Sequence, residues 1–381
     1  MRVIGSTRDT VAPLASAHVR SWSVEEFGNS QATWDELVKR SDADPLFMSW
    51  GWQWRWWTHH AAVLAATLRL AAVYAGDRLI GIAPFYSRKV RVRKILQSRR
   101  LELIGIAWRD SLATFSDYPD ILADTGFRSI VIDTVDEWLA AQPDWDELLL
   151  CCTKRTGVAA ELAIGRLTRR AFVREVDPLS AWRVHLPGSF DEYVQGLSAN
   201  VRRKLVNQRR KLAHPEIAYI TGQDVRDALH RLWEFSATRW NGALPPAHIQ
   251  NFHREIAASL AGTGELRLSC LYSDGAALSI LYCAERAGTV YYLQSGFDAE
   301  RAQGVSPGSL HLGYAIEAAC TSKAHWFDLL AGRGRRRDYK RDLLTEEVPV
   351  ANYHVVRGAL KGALYRVYER LQGRAGALHT N

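Results

Sequence analysis

The stretch LRLAAVYAGDRLIGIAPFY, residues 68–86, is echoed by LRLSCLYSDGAALSILYCA, residues 266–284. Both open Leu-Arg-Leu, place a tyrosine at the same offset and turn at a Gly/Asp pair: Gly76-Asp77 in one, Asp274-Gly275 in the other. β-rich runs flanking such a pair read as a hairpin. The echo continues downstream. RLELIGIA, TFSDYPDIL, RSIVIDTVDEWLAAQ and WDELLL follow the first hairpin; TVYYLQSGF, a Gly/Pro/Ser loop, SLHLGYAIEAACTS and HWFDLLAG follow the second. Each series reads hairpin, strand, loop, helix, strand, with Trp145 and Trp326 in matching places before the last strand. A repeat this long sets the domain count. The expected class is α/β (α+β): two homologous units, 20–178 and 179–370, each a mixed, mostly antiparallel sheet flanked by helices. The boundary falls in REVDPLSAWRVHLPGS, where Pro178 and Pro187 flank a short strand.

With 47% apolar and 24% charged residues, a chain of 381 can build its core without cross-links. The five cysteines (Cys151, Cys152, Cys270, Cys283, Cys320) have no ligand-like spacing and sit in apolar patterns, so buried reduced thiols and no metal are expected. Reduced thiols fit a cytoplasmic location. The N-terminus lacks the apolar core of a signal peptide, and no apolar run reaches membrane-spanning length.

The net charge is +8, and two basic clusters stand out: SRKVRVRKILQSRR (87–100) and VRRKLVNQRRKL (201–212). Both suit anionic partners: phosphates, a phospholipid surface or nucleic acid. No DNA-reading motif accompanies them, so DNA is not expected. Trp50, Trp52, Trp54, Trp56 and Trp57 crowd one segment. No single helical face collects them all, so some are expected to pack inward and others to line a groove or a domain interface. The C-terminal RGALKGALYRVYERLQGR reads as a basic amphipathic helix packed on the body; peripheral membrane or polysaccharide-synthase contact is the alternative.

The layout of hairpin, strand, loop, helix and strand resembles the GNAT acyltransferase fold. That superfamily binds the pyrophosphate of acyl-coenzyme A at the loop before the helix, where free N–H groups and the positive dipole end attract phosphate. Here the loop is RAQGVSPG. Arg301, Gly304 and Ser306 approach the superfamily's Arg/Gln-x-x-Gly-x-Gly/Ala, and Pro307 and Gly308 intervene before the helix. The resemblance implies cofactor contacts at Arg301, Gly304, Ser306, Gly308 and Ser309. The ordered pieces SANVRRKLVNQRRKL, RW at 239–240, LRLSCLYSDGAALS, YYLQSGFDAERAQGVSPGSLHL, FDLLAG and DYK, with SDYPD in the first half, resemble the CelD/BcsL-type acetyltransferase-like family. That family is associated with bacterial cellulose and exopolysaccharide production. It is similar to the peptidoglycan Fem aminoacyltransferases, which carry two GNAT units. The resemblance spans roughly residues 30–345 and implies a tandem GNAT fold and acyl transfer to an amine or hydroxyl. The donor is acyl-CoA, and the acceptor a small-molecule, glycan or nucleotide-linked envelope or polysaccharide precursor. The alternatives are a Fem-like transferase using aminoacyl-tRNA and a non-catalytic scaffold in polysaccharide assembly.

Acyl transfer from a thioester needs a deprotonated nucleophile, a stabilised oxyanion and a proton for the leaving thiolate. The Fem-type resemblance implies a lysine near the reacting carbonyl, and Lys340 of Asp-Tyr-Lys is the candidate; otherwise it is a solvated lysine of GRGRRRDYKR. Tyr339 is a candidate proton donor. Asp298 in GFDAE is either a proton acceptor or a turn cap. Asp328 lies within an apolar strand, where an isolated carboxylate is costly, so it should have a partner or a cleft. Gln294 is a candidate for a substrate amide, and Trp240 a candidate substrate contact. Ser198 is expected to N-cap a basic helix whose apolar side is Leu197, Val201, Leu205 and Leu212. By resemblance its Arg202 or Arg203 binds the diphosphate of a nucleotide-linked acceptor; otherwise they are a solvated face. Asp117 and Tyr118 of SDYPD stand where the first unit would carry its phosphate loop, without a Gly-rich turn. That half is expected to be degenerate for cofactor.

Overall fold

A computed structural model describes residues 17–92, 96–240, 242–301, 304–332, 339–343, 345–358, 361–363 and 365. The arginine run at 333–338 and most of the expected C-terminal helix lie outside the described residues. In the first unit, β1 (Ala17–Ser21) leads into helices α1 (Val24–Gly28), α2 (Gln31–Lys39) and α3 (Trp50–His60). The hairpin β2 (Thr67–Ala75) and β3 (Arg78–Val92) follows, then β4 (Leu96–Leu103), the short β5 (Leu122–Ala123), α4 (Arg128–Ala141), β6 (Glu147–Lys154), α5 (Val158–Glu161) and β7 (Phe172–Glu175). In the second, β8 (Ala181–His185), α6 (Phe190–Gly196), α7 (Ala199–Leu205) and β9 (Glu216–Tyr219) precede α8 (Val225–Trp240) and α9 (Ala247–Gly262). Next come the hairpin β10 (Leu266–Ser273) and β11 (Ala276–Arg286), β12 (Thr289–Phe297), α10 (Pro307–Thr321), β13 (Trp326–Ala331), β14 (Thr345–Val348) and β15 (Val350–Val356).

Five strands of each sheet run in the same order, β1-β2-β3-β4-β6 and β9-β10-β11-β12-β13. In each, hairpin-linked neighbours are antiparallel and the last pair is parallel, joined through the crossover helix α4 or α10. The turns fall at Gly76-Asp77 and Asp274-Gly275, as the sequence predicts. The tails then exchange. β7 stays with the first sheet while β8 joins the second beside β13; β14 lies on β8, while β15 returns to the first sheet between β6 and β7. β15 is buried throughout. The chain's end therefore completes the sheet in which the chain begins.

The tryptophan helix α3 packs against α9 of the second unit. Trp52, Trp56 and Trp57 are buried, in one hydrophobic cluster with Phe252, Ile256, Leu260 and Tyr291 of the second unit. Trp52 meets Phe252 edge-on at 5.3 Å. Its Nε1 donates to Ser116 Oγ at 2.8 Å, and Trp56 Nε1 donates to the Thr114 carbonyl at 2.8 Å. These two buried indole N–H groups thus find acceptors. Trp50 and Trp54 stack on one another beside Phe27. The five rings form the domain interface and its border. All five cysteines are buried thiols.

The basic helix is shorter than the sequence suggests. Ser198 caps it, accepting from Val201 N, and Leu197, Val201 and Leu205 are buried. It stops at Val206, however, and a tighter 3-10 turn carries Asn207–Lys211, leaving Leu212 half-buried. At this end the helix meets α10. Gly313 passes directly against the Leu205 carbonyl, and a Cβ on Gly313 would overlap that oxygen. The contact lets the two helices touch backbone to backbone. Gly313→Ala is expected to lower stability by about 2–3 kcal/mol, measured as the denaturation midpoint at constant m-value; Gly262→Ala, where a Cβ meets nothing, is the control.

Candidate functional site

The second sheet opens at one place. β12 pairs with β13 only where Thr289, Val290 and Tyr291 meet Trp326, Phe327 and Asp328. Beyond these residues the parallel strands diverge. On β12's other side the register with β11 slips between Tyr282 and Cys283, leaving Leu293 as an extra residue. The loop beyond β12 leads to the N-terminus of α10.

Pro307 is the first helical residue there, so the helix begins two residues before the expected Ser309. Gly304 has φ +72°, which glycine tolerates without strain. The N–H groups of Gly308 and Ser309 belong to the first turn, where no carbonyl of the helix reaches them. Ser306 differs: its N–H donates to Gln208 Oε1 at 3.2 Å. Lys211 Nζ, from the same 3-10 turn, donates to the Gly304 carbonyl at 3.3 Å. The cradle thus keeps two backbone donors, loses one to Gln208 and lacks one at Pro307. Arg301 is exposed and pairs with Asp298 at 3.3 Å. Asp298 itself caps the turn, accepting from Glu300 N and Arg301 N at 3.0 and 3.1 Å.

Tyr292, on β12 next to the last paired residue Tyr291, interacts with Tyr339; burial pushes the Tyr292 phenol up and Tyr339 adds to the effect. Tyr339 is partly exposed, so a proton path to solvent exists on that side. Gln294 Oε1 accepts from Trp233 Nε1 at 3.3 Å, which fixes its amide with the N–H₂ directed away from the indole. The side chain of Trp240 lies outside the described residues. Behind α10, a groove of about 640 Å³ exposes part of a buried hydrogen-bond chain. Ser279 donates to the Gly296 carbonyl at 3.1 Å. It must therefore accept from His311 Nδ1 at 3.1 Å, which leaves His311 Nε2 to accept from Ser269 at 2.9 Å. Burial holds His311 neutral, its pKa down to about 3.

Lys340 is buried, and its ammonium donates to the carbonyls of Leu329, Leu330 and Ala331 at 2.7, 2.9 and 3.1 Å. This is neither a solvated lysine nor a cation aimed at open space: it holds the end of β13. There Leu330 has φ +60°, a costly conformation for a branched side chain. Asp328 has both the partner and the burial that its apolar setting demands. Tyr118 O–H donates to its two oxygens at 3.0 and 3.1 Å, and Leu330 N donates at 2.7 Å. Burial raises its pKa to about 7. Asp117 accepts from Ala331 N at 2.7 Å and faces the Cys152 thiol; burial raises it to about 6, against the pull of Lys340. Tyr118 also sits under Lys154, whose ammonium is 4.7 Å from the ring centre. SDYPD therefore locks the first unit onto the end of β13.

Lys340, Asp328, Asp117 and Tyr118 come together; Arg202 and Arg203 do not join them. Arg202 donates to the carbonyls of Gln195 and Leu197, closing the end of α6, and Arg203 donates to Asn200 on the surface. Gln208, Trp233 and Tyr292 were not singled out from sequence. Only the fold brings Gln208 to Ser306, and nothing local marks the contact. Among the described residues no three His, Cys, Asp or Glu are placed to hold a metal ion, and no helix is long and apolar enough to cross a membrane.

Two outcomes follow from this cluster. Lys340→Met should cost about 3 kcal/mol or more, because it leaves buried carbonyls unpaired, and should show as a lowered melting temperature in protein without ligand. An unchanged melting temperature would refute the clamp. For Asp328, a pKa raised on folding means that the native state holds the proton more tightly. Its contribution is full below the ordinary carboxylate range and is lost as pH rises through about 7. Asp328→Asn, which mimics the protonated form, should gain stability relative to wild type between pH 5 and pH 8, by several degrees in melting temperature.

Residues 199–341 match the family model described as "Acetyltransferase (GNAT) domain". No curated protein matches the chain by sequence. Among solved structures, FemX is similar over 92% of this chain and 99% of its own, at 12% identity and a TM-score of 0.58. A conserved protein of unknown function from Bacteroides thetaiotaomicron VPI-5482 is similar over 89% of this chain and 99% of its own, at 9% identity and a TM-score of 0.54. The chain therefore has a tandem GNAT-like fold of the kind seen in FemX, and the segment matched by the GNAT model contains the opening between β12 and β13 together with α10.

Proposed function

We propose that the chain is an acyltransferase whose donor enters the second unit between β12 and β13. The carrying observation is the coincidence of three features in the matched segment: strands that part after Asp328, an extra residue in β12 beside the gap, and the start of α10 with two unpaired N–H groups at its mouth. A parted parallel pair offers a slot for an extended thioester arm. The helix end and Arg301 would meet its pyrophosphate. The acceptor amine or hydroxyl attacks the carbonyl, the carbon–sulfur bond breaks, Tyr339, coupled to Tyr292, supplies the proton to the thiolate, and the proton released by the acceptor restores the Tyr339 phenol through solvent on its exposed side. Lys340 acts as a positioning residue, keeping the end of β13 in its parted conformation. By resemblance to the CelD/BcsL-type proteins, the acceptor is an envelope or exopolysaccharide precursor, and the donor is acyl-CoA.

A second reading, aminoacyl transfer from tRNA, has one observation in its favour. Gln208 occupies the Ser306 N–H and Pro307 has none, so the cradle is poorer than a coenzyme pyrophosphate would use. The 3-10 turn beside it is basic. Calorimetry separates the two. Under the first reading, coenzyme A and acetyl-CoA bind. Gly308→Val, which pushes against the Phe297 ring at the mouth, then weakens them at least tenfold. Silence toward coenzyme A with tRNA affinity that falls steeply with salt supports the second. Silence toward both would leave a non-catalytic scaffold in polysaccharide assembly.

A further inference from the structure

The basic cluster at 87–100 has no part in acyl transfer at α10. Its described residues form the far end of the β3–β4 hairpin. There they join a row of charged side chains crossing the first sheet. Arg88 on β3 faces Arg100 on β4, Arg100 lies beside Glu147 on β6, and His354 on β15 faces Arg174 on β7. A pocket of about 590 Å³ opens over this row, with Trp108 and Arg109 as one wall and Lys89 and Arg91 at the rim.

The carboxylates of the row lie under the cations. Glu102 binds Arg88 Nε at 2.6 Å, and Glu147 binds Arg100 Nε and Nη2 at 3.1 and 2.9 Å. Both carboxylates are almost fully buried. They fix the guanidinium planes from below and leave the pocket's surface cationic. Asp110, itself part of the lining, holds Arg88 from the side. The Trp108 ring lies between Arg100, 5.2 Å from its centre, and Arg109, at 4.3 Å. His354 Nδ1 accepts from Arg174 Nε and Nη2 at 3.1 and 2.9 Å. Its proton therefore sits on Nε2, 3.6 Å from Glu147. Lys89 and Arg91 meet no carboxylate among the described residues.

Arg109 is held in turn by Asp177, to which its Nε and Nη2 donate at 2.9 and 2.7 Å. Arg88, Arg100 and Arg109 are thus paired, while Lys89, Arg91 and Arg174 in the same lining leave it with more cations than carboxylates, an excess that an entering anion would offset. Guanidinium groups held in fixed planes match the oxygens of a phosphate, which they bind in pairs. The volume lies within the range of small-molecule sites. We infer that this pocket binds the phosphate or diphosphate group of a small soluble ligand, at a site in the first unit separate from the mouth of α10. The first unit, whose own loop before α4 has become the SDYPD lock, would thus hold an anion elsewhere, on the opposite edge of its sheet from β1.

Inorganic pyrophosphate titrated into the full chain at low salt tests this by calorimetry. At least one equivalent is expected to bind the wild type, and the equivalent belonging to this pocket is the one that persists when the α10 mouth is altered. The double variant Arg91→Ala/Arg109→Ala, both at exposed side chains, should bind at least tenfold more weakly with an unchanged melting temperature. Arg301→Ala, at the α10 mouth, should bind like wild type, so failure here is distinguishable from failure of the acyltransferase reading. Absence of binding, a double variant that titrates like wild type, or loss of binding in Arg301→Ala would each overturn the inference. So would capture by phosphatidylglycerol vesicles that pyrophosphate does not displace.

Discussion

A strand that leaves its neighbour strands its backbone carbonyls, and buried carbonyls without donors are costly. β13 leaves β12 after Asp328, and Lys340 meets that cost. One ammonium supplies donors to three consecutive carbonyls, including that of Leu330 in its left-handed conformation. Asp328 and Asp117 take the N–H groups of Leu330 and Ala331 from the other side. The end of β13 is thus satisfied without a neighbouring strand on the open side. The opening between the strands, and everything inferred about a donor entering it, rests on that arrangement.

The same residues couple the opening to the relation between the two units. Asp328 belongs to the second unit and Tyr118 and Asp117 to the first. Opposing proton linkages meet in this interior. Burial raises Asp117 and Asp120 to about 6 and Asp328 to about 7, so their contributions to stability fade as pH rises through those values. Burial lowers His60 and His253 to about 4 and His311 to about 3. Their contributions are full above the ordinary histidine pKa and fade as pH falls from there toward 3. In the mildly acidic range the two sets oppose one another.

Much of the fold was legible because its signals are local. Gly76-Asp77 and Asp274-Gly275 mark turns by chemistry alone, and the crossover helices follow from length and periodicity. The exchange of β8 and β15 was not legible: VANYHVV is an apolar strand in any sheet, and only packing decides which. The end of the basic helix at Val206 carries no glycine or proline, and the α10 residue packed against its last turn, Gly313, comes from far along the chain. In the site, elementary energetics established that Asp328 needs a partner but not that Tyr118 is the partner. Asp298 reads as a proton acceptor or a turn cap, and the structure shows the cap, the half of that reading that local spacing specifies. Lys340 was singled out for its charge, and its observed contacts use that charge to hold backbone. Arg202 and Arg203 shared their neighbours' charge and nothing that would distinguish a ligand contact from the closing of α6.

The two units are copies in topology and opposites in use at one position. Between β12 and α10 the second unit keeps a glycine at positive φ, a proline and, with no acceptor among the described residues, the first-turn N–H groups of Gly308 and Ser309. Between β4 and α4 the first unit carries SDYPD, whose side chains turn inward. Asp120 accepts from the N–H groups of Val158 and Ala159 at the start of α5, Asp117 from that of Ala331, and the Tyr118 O–H donates to Asp328. Side chains that satisfy backbone groups leave no donors for a phosphate. The loops at matching positions of the two units therefore differ in what they do to the fold: the first fastens the strand end beside which the second opens.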